Sequence, residues 1–370
     1  MIWAAFIVGP LLVLGLLVWN ETRRRRHGRL RLCLLAWLAF CLSKFLVFQL
    51  LGGSAFCPEL PEKLIWFWDW AYSGAVLYLA LKAVGWRWSW RWKTPLFALL
   101  GWTLSVWGLV NGLRVPEVRE VEISFDCLPP ELDGYRIVQL SDLHASCAAR
   151  RWRTQAIVDR VNAIDADLVC LTGDYADGFV GKSRSFVEPL AGLHARDGVY
   201  GCTGNHEYYF LADEWRREFY NRLNNVEMLS NRCVYPRNGL ALAGVPDKTG
   251  YERFGEDEFP NASAAFAAAT NGEFRVLLCH RPATAFEHLG SCIADLQLSG
   301  HTHGGITPLF QPLIGLFNNG YTRGLYRLGD AALYVSPGCG QWGGFPMRFF
   351  NPSEITLITL RRTGKRCDTP

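Results

Sequence analysis

Two histidines one residue apart, His301 and His303, stand among three glycines in the run GHTHGG at 300–305 of a chain that holds only eight histidines. Imidazole nitrogens ligate metals and carry protons near neutral pH. The bland reading places both rings on one face of a strand, where alternate side chains point the same way. The flanking glycines speak against ordinary core packing, because glycine in a strand often marks close approach of a ligand or a second backbone. Ligand-type groups recur in four other short runs. Asp142 and His144 stand in SDLH, Asp174 and Asp177 in GDYAD, Asn205, His206 and Glu207 in GNHE, and His280 follows FRVLLC.

Each run closes a segment that reads as a buried strand. The apolar stretches YRIVQLS (135–141), ADLVCLTGD (166–174), DGVYGCTGNHE (197–207), LALAG (240–244), FRVLLCH (274–280) and DLQLSGHTH (295–303) are separated by stretches such as RWRTQAIVDRVNAI (151–164), which has helical apolar spacing. A strand-rich tail runs from 324 to 362. Alternation of this kind predicts an α/β sheet domain. Open α/β sheets bind ligands beyond the carboxyl ends of their strands, so five histidines and three aspartates converge on one rim. Glu207 reads as a structural carboxylate, and His27, His194 and His288 match no motif.

The runs DLH, GDYAD, GNHE, H and GHTHGG, in that order, resemble the calcineurin-like metallophosphoesterase superfamily over roughly 130–362, with LYRLGDAALYVSPGCG and PMRFFNPSEITLITL in the tail. Together with the apolar front, they look like its bacterial membrane-associated branch. The resemblance implies a sandwich of two mixed sheets flanked by helices, with two divalent cations at the rim. It assigns Asp142, His144 and His303 to one ion, Asn205, His280 and His301 to the other, and Asp174 to both. Carboxylate and imidazole suit Mn, Fe or Zn better than Ca, and a shared carboxylate holds two ions about 3.5–4 Å apart. The implied chemistry is in-line attack on phosphorus by a hydroxide held between the ions. His206 would stabilise the transition state or protonate the leaving oxygen, and Asp177 would raise its basicity and fix its tautomer. Gly304 and Gly305 would let backbone and phosphate approach. Many relatives carry glutamine where this chain has Ile306, which predicts a more apolar edge there. The family's serine/threonine phosphatases carry arginine at the position of Gly178, which argues against protein phosphatase activity.

The first 113 residues have a different composition. They hold twelve of the fifteen tryptophans, and 12 Lys+Arg against 4 Asp+Glu, whereas the remainder holds 26 against 30. The net +4 therefore describes neither part, and no nucleic-acid surface follows from it. Ile2–Trp19, Leu32–Leu51, Leu64–Trp86 and Pro95–Leu113 each approach the length of a transmembrane helix, about 17–25 residues. This predicts a bundle of about four spans (1–113) anchoring a metallophosphoesterase domain (114–370) to the lipid bilayer. Trp66, Trp68 and Trp70 at one span edge, and Trp86, Trp88, Trp90 and Trp92 at another, read as interfacial belts. Lys44 and Asp69 lie inside spans at similar depth, and a structural pair is expected. Loops 20–31, with six arginines, and 87–94, with Arg87, Arg91 and Lys93, should stay in the cytoplasm. The catalytic domain then faces the periplasm or its equivalent. Twelve cysteines show no metal spacing; Cys170, Cys202 and Cys279 sit in core-like runs, while Cys57, Cys127, Cys147, Cys233, Cys292 and Cys367 are available for disulfides.

The function expected is hydrolysis of phosphate esters, with phosphodiesters of lipid or envelope type favoured. A non-catalytic metal-binding receptor or scaffold on the same fold is the alternative, but it would need neither His206 nor Asp177. A transporter reading of the front half lacks any broken-helix signal in the sequence.

Overall fold

The computed structural model describes residues 28–364, apart from 86, 89–91, 210–213, 216–222, 224, 271 and 342–343. The first expected span therefore lies outside the described residues. The second forms two helices, α1 (Gly28–Leu42) and α2 (Lys44–Gly52), which meet at Ser43 with a bend of 49° between Cys33–Leu42 and Lys44–Gly52. This break has no proline or glycine to announce it. The third and fourth expected spans form α3 (Glu62–Val84) and α4 (Lys93–Leu113). Among the described residues, two helices are long and apolar enough to cross a membrane, or three if the bent pair is one span.

Among the described residues, twelve strands follow in two six-stranded mixed sheets. The first sheet has the order β1 (Glu117–Phe125), β12 (Glu354–Arg362), β2 (Arg136–Leu140), β3 (Leu168–Thr172), β4 (Val199–Cys202), β5 (Val226–Met228). The second has the order β10 (Gly324–Leu328), β11 (Ala331–Val335), β9 (Leu296–Ser299), β8 (Phe274–Leu278), β7 (Leu240–Gly244), β6 (Arg232–Arg237). In each sheet the strands that carry the site, β2, β3 and β4 or β8 and β9, run parallel. Their carboxyl ends therefore point the same way.

Period-two alternation explains the layering. In β3, Leu168 and Cys170 face the second sheet, packing with Leu242, Val276 and Leu298, while Val169 and Leu171 face the helix α5 (Arg151–Asn162) through Ile157 and Val161. Both faces of the sheet are thus buried, which is why its strands read as continuous apolar runs. Gln139, fully buried at the rim, donates to Ser299 O at 2.9 Å and Thr172 Oγ1 at 3.0 Å, and so ties the two sheets together beneath the ligand loops.

The helices are packed onto this sandwich. Phe345, Met347 and Ile306 share one apolar cluster with Phe45, Tyr72, Tyr78 and Phe97. A Cβ on Gly112 would lie 2.2 Å from Pro346 O and one on Gly108 2.4 Å from the Phe349 ring, so α4 can dock only with glycine there. Lys44 and Asp69 do pair. Neither snorkels: both are fully buried, Lys44 also donates to Gly344 O, and the Tyr72 and Phe345 rings lie 5.2 and 5.0 Å from its ammonium. Trp66 and Trp68, read as part of a belt, contact the protein itself. The Trp66 indole donates to Ala148 O at 2.9 Å, and Trp68 is buried. Cys127 is in a disulfide, while Cys57, Cys147, Cys170, Cys202, Cys233, Cys279 and Cys292 are free thiols; Cys367 lies outside the described residues.

Candidate metal centre

The ligand-type side chains sit on loops just past the strand ends. Asp142 and His144 follow β2, Asp174 and Asp177 follow β3, Asn205 and His206 follow β4, His280 follows β8, and His301 and His303 follow β9. His301 and His303 are therefore not on a strand face. They lie in a turn beyond Ser299, at φ of 71° and 48°. The turn still sends them to different groups, because His303 clusters with Asp142 and His144, and His301 with Asp174 and His280.

Backbone conformation marks the place. Asp142, His144, Asp174, His301, His303 and Ile306 all have positive φ, between 47° and 71°. Such a conformation costs a non-glycine residue about 1–3 kcal/mol and persists only where the surroundings enforce it; for a β-branched residue such as Ile306 it is a genuine outlier. Nothing in sequence patterning reveals φ, so this concentration of strain was not legible beforehand. The glycines serve the protein's own packing. A Cβ on Gly304 would meet Asn351 Nδ2 at 2.3 Å, and Asn351 donates to His303 O and Gly304 O at 2.9 and 2.8 Å. That contact clamps the histidine turn, which is a different use from the approach of phosphate.

Hydrogen bonds preset the imidazoles. His280 Nδ1–H donates to Thr172 O at 2.7 Å, leaving Nε2 3.2 Å from Asp174 Oδ2. His144 Nδ1–H donates to Asp177 Oδ1 at 2.8 Å, which turns its Nε2 toward His303 Nε2 at 3.1 Å and Asp174 Oδ2 at 3.7 Å. A donor bond on one ring nitrogen that fixes a lone pair on the other is the usual support for a metal-ligating histidine. Asp142 Oδ1 stands 3.5 Å from His303 Nε2. Asn205 Oδ1 is buried with no hydrogen-bond partner, as expected of an atom kept for an ion. The donor set and its orphaned oxygen fit divalent cations.

Beside this cluster, Asp177 Oδ1 also accepts from His206 Nδ1 at 2.6 Å. One carboxylate oxygen thus orients two imidazoles. Burial pulls the His206 imidazole down, but the carboxylates of Asp174 and Asp177 outweigh it and hold the group well above the ordinary histidine range. Burial pushes Asp177 up, and His144 and His206 overcome that effect to keep it ionised. Glu207 has the structural place expected of it: its carboxylate accepts from the backbone N–H groups of Asp174, Tyr175 and Gly204 at 3.0, 2.8 and 2.7 Å. His288 is likewise a satisfied buried histidine on Gln297, at 2.9 Å.

One participant was missed by the sequence reading. The thiol of Cys57, from the loop between α2 and α3, lies within 4.8 Å of the His206 imidazole and the Asp177 carboxylate. The same loop is tied down by ion pairs of Glu59 with Lys182 and of Glu62 with Arg150. No local motif announces a contact spanning nearly 150 residues.

The calcineurin-like phosphoesterase family model matches residues 135–305. A transmembrane protein with metallophosphoesterase domain from Danio rerio is 35% identical over 280 residues, covering 73% of this chain and 63% of that protein. This chain thus spans under two thirds of that relative. A metallophosphoesterase of Helicobacter pylori strain J99 is 36% identical over 265 residues, covering 71% of this chain and 68% of that one. Among solved structures, the NAD nucleotidase of Haemophilus influenzae superposes with a TM-score of 0.36 at 14% identity, over 56% of this chain and 45% of that one. That likeness carries no functional weight. The motif order, the histidine turn that serves two ligand groups and the extent of these matches agree, and the chain belongs to the calcineurin-like metallophosphoesterases.

Proposed function

We propose that the chain is a membrane-anchored phosphoesterase with a dinuclear centre of Mn, Fe or Zn, acting on phosphodiesters of lipid or envelope type. The observation that carries this reading is the group of five ligand-type residues held at positive φ around the buried, unpartnered Asn205 Oδ1. A binding-only receptor would need those ligands too, but neither His206 nor Asp177, which pair at 2.6 Å beside them. Asp142, His144 and His303 would hold one ion, Asn205, His280 and His301 the second, and Asp174 would bridge. When bound, such ions supply a water-derived nucleophile at neutral pH and neutralise charge on the phosphate oxygens.

The chain's own residues then handle the leaving group. A water oxygen forms the new bond to phosphorus, the ester P–O bond breaks, and His206 gives its proton to the departing alkoxide. Asp177 holds the imidazole in place and stabilises its charged form. Support for a diester comes from Arg281, the one arginine among the described residues that lines the cavity. Its guanidinium is engaged by Asp247 at 2.8 Å and so is not free to pair with the second charge of a monoester.

The helical part, 1–113, anchors the catalytic part, 114–370. Loop 53–61 packs on the catalytic domain through Cys57 and Glu59, and α4 runs directly into β1, so the loop and the domain share one end of the α3–α4 hairpin. The opposite end carries Arg87, Arg91 and Lys93. Short basic loops stay in the cytoplasm, which supports a domain on the extracytoplasmic side whatever the first segment does. The disulfide at Cys127 fits an oxidising compartment.

The test is an assay of the purified full chain with Mn²⁺ against a panel of phosphomonoesters and phosphodiesters. Diester turnover above monoester turnover is expected. Failure to hydrolyse any ester, by protein carrying two ions per chain, would leave the binding-only receptor as the better reading.

A further inference from the structure

A cavity of about 1110 Å³ runs from the metal centre into the helices. Its size exceeds the roughly 300–1,000 Å³ of ordinary small-molecule sites. The charged and imidazole side chains that line it, Asp174, His206, Arg281, His301 and His303, all belong to the metal end. Away from that end the walls are mostly apolar, with Ser54, Tyr72, Ser73, Thr307 and Asn318 as polar exceptions. Tyr72, Ser73, Val76, Leu77 and Ala80 recur at helical spacing along one face of α3, a stretch of about 12 Å at 1.5 Å per residue. Leu104 on α4 faces the same space, nine residues before the helix ends at Leu113, or about 13 Å along its axis. The groove therefore lies along membrane-candidate helices rather than above them.

Its outer rim is apolar too. Leu309, Leu313 and Phe317, around the short helix Gln311–Leu316, line it, as does Phe350, and these four are 80%, 40%, 54% and 67% exposed. Contiguous apolar exposure of this kind marks a membrane or partner contact. The membrane is favoured here because the Phe350 ring packs on Trp107 of α4 with centroids 4.7 Å apart. Trp107 lies six residues inside the end of that helix, about 9 Å, so the rim sits at the depth where an interfacial segment buries its apolar face.

We infer that the groove holds the hydrocarbon chain of a lipid phosphoester, which enters laterally from the bilayer with its phosphate at the metal centre. This deepens, and rests on, the phosphoesterase reading above. A nucleoside or sugar substituent fits less well, because so few polar wall groups would leave most of its hydroxyl and amide groups unpaired, a costly arrangement. A hydrocarbon chain needs no partners there and would gain about fourfold in binding per methylene buried.

The test uses methyl, octyl and hexadecyl 4-nitrophenyl phosphates with the full chain in lipid nanodiscs and Mn²⁺. The readout is the ratio of kcat/KM for hexadecyl over methyl ester. Partition into the disc enriches long esters for every variant alike, so differences in this ratio between variants isolate the groove. Ala80→Trp fills the α3 face, and Leu313→Asp places a carboxylate at the half-exposed rim, where folding is not at risk; retained metal content reports folding. Both should lower the ratio more than tenfold. Ratios unchanged in both variants would overturn the acyl-chain site while leaving the phosphoesterase intact. Failure of the unaltered protein on all three esters would remove the phosphoesterase reading, and this one with it.

Discussion

Asp177→Asn tests the site most sharply, because one oxygen there serves two imidazoles. Asp177 Oδ1 accepts from His144 Nδ1 at 2.8 Å and from His206 Nδ1 at 2.6 Å. Asparagine is nearly isosteric and its carbonyl can still accept both bonds, but without charge. Hydrogen bonds to an ionised group contribute about 1.5–3 kcal/mol, against about 0.5–1.5 for neutral pairs. Two bonds, each weakened by about 1 kcal/mol, lose about 2 kcal/mol together, or about 30-fold in rate if the whole loss falls on the transition state. The loss should depend on the leaving group. An alkyl phosphodiester needs its departing oxygen protonated and should show the full effect, whereas a 4-nitrophenyl ester, whose leaving group is stable as an anion, should show little. Metal affinity should fall as well, because His144 loses the bond that presents its Nε2; such supporting partners are commonly worth 10–100-fold. The assay is kcat/KM for both ester types, together with metal content. A variant within twofold of the unaltered protein on the alkyl diester, with full metal content, would refute the role given to Asp177.

Three further outcomes follow from the same geometry. His206→Ala should keep its metal yet lose about 10²–10⁴-fold in turnover of an unactivated diester, the worth of a positioned acid; full activity would exclude His206 as the proton donor. Asp174→Ala should lower occupancy of both ions by elemental analysis, and chelation of the unaltered protein should abolish turnover reversibly; one ion or none in fully active protein would defeat the dinuclear centre. Lys44→Met alone strands the buried Asp69 and should destabilise by about 3–5 kcal/mol, with much of that recovered in Lys44→Met/Asp69→Leu. Thermal unfolding in detergent measures the difference, and equal stability of the single and double variants would count against a closed ion pair. Topology has its own check: alkaline phosphatase fused after residue 120 should be active, and an inactive fusion would place the domain in the cytoplasm.

Sequence and tertiary structure divided this protein along a physical line. Strands β2, β3, β4, β8 and β9 could be read from the chain because each is a short apolar run that ends in polar ligand-type residues. Burial on both faces leaves nothing else for such a run to be. The family resemblance implied the ligand sets Asp142, His144 and His303, and Asn205, His280 and His301 with Asp174 shared; the fold brings Asp142, His144 and His303 together, and Asp174, His280 and His301 together. Other features have no local signature. The positive φ at Asp142, His144, Asp174, His301, His303 and Ile306 depends on how two sheet rims meet. The break at Ser43 arises where α2 turns to deliver Lys44 to Asp69 and to the carbonyl of Gly344, some 300 residues away. Cys57 reaches His206 only because α3 and α4 dock through Gly108 and Gly112 onto 346–349 and bring their loop over the rim. Residue types and their order thus determined the chemistry this chain can carry out. The walls around that chemistry, part of them built by helices that read as a mere anchor, were decided by packing between segments distant in the chain, which no periodicity encodes.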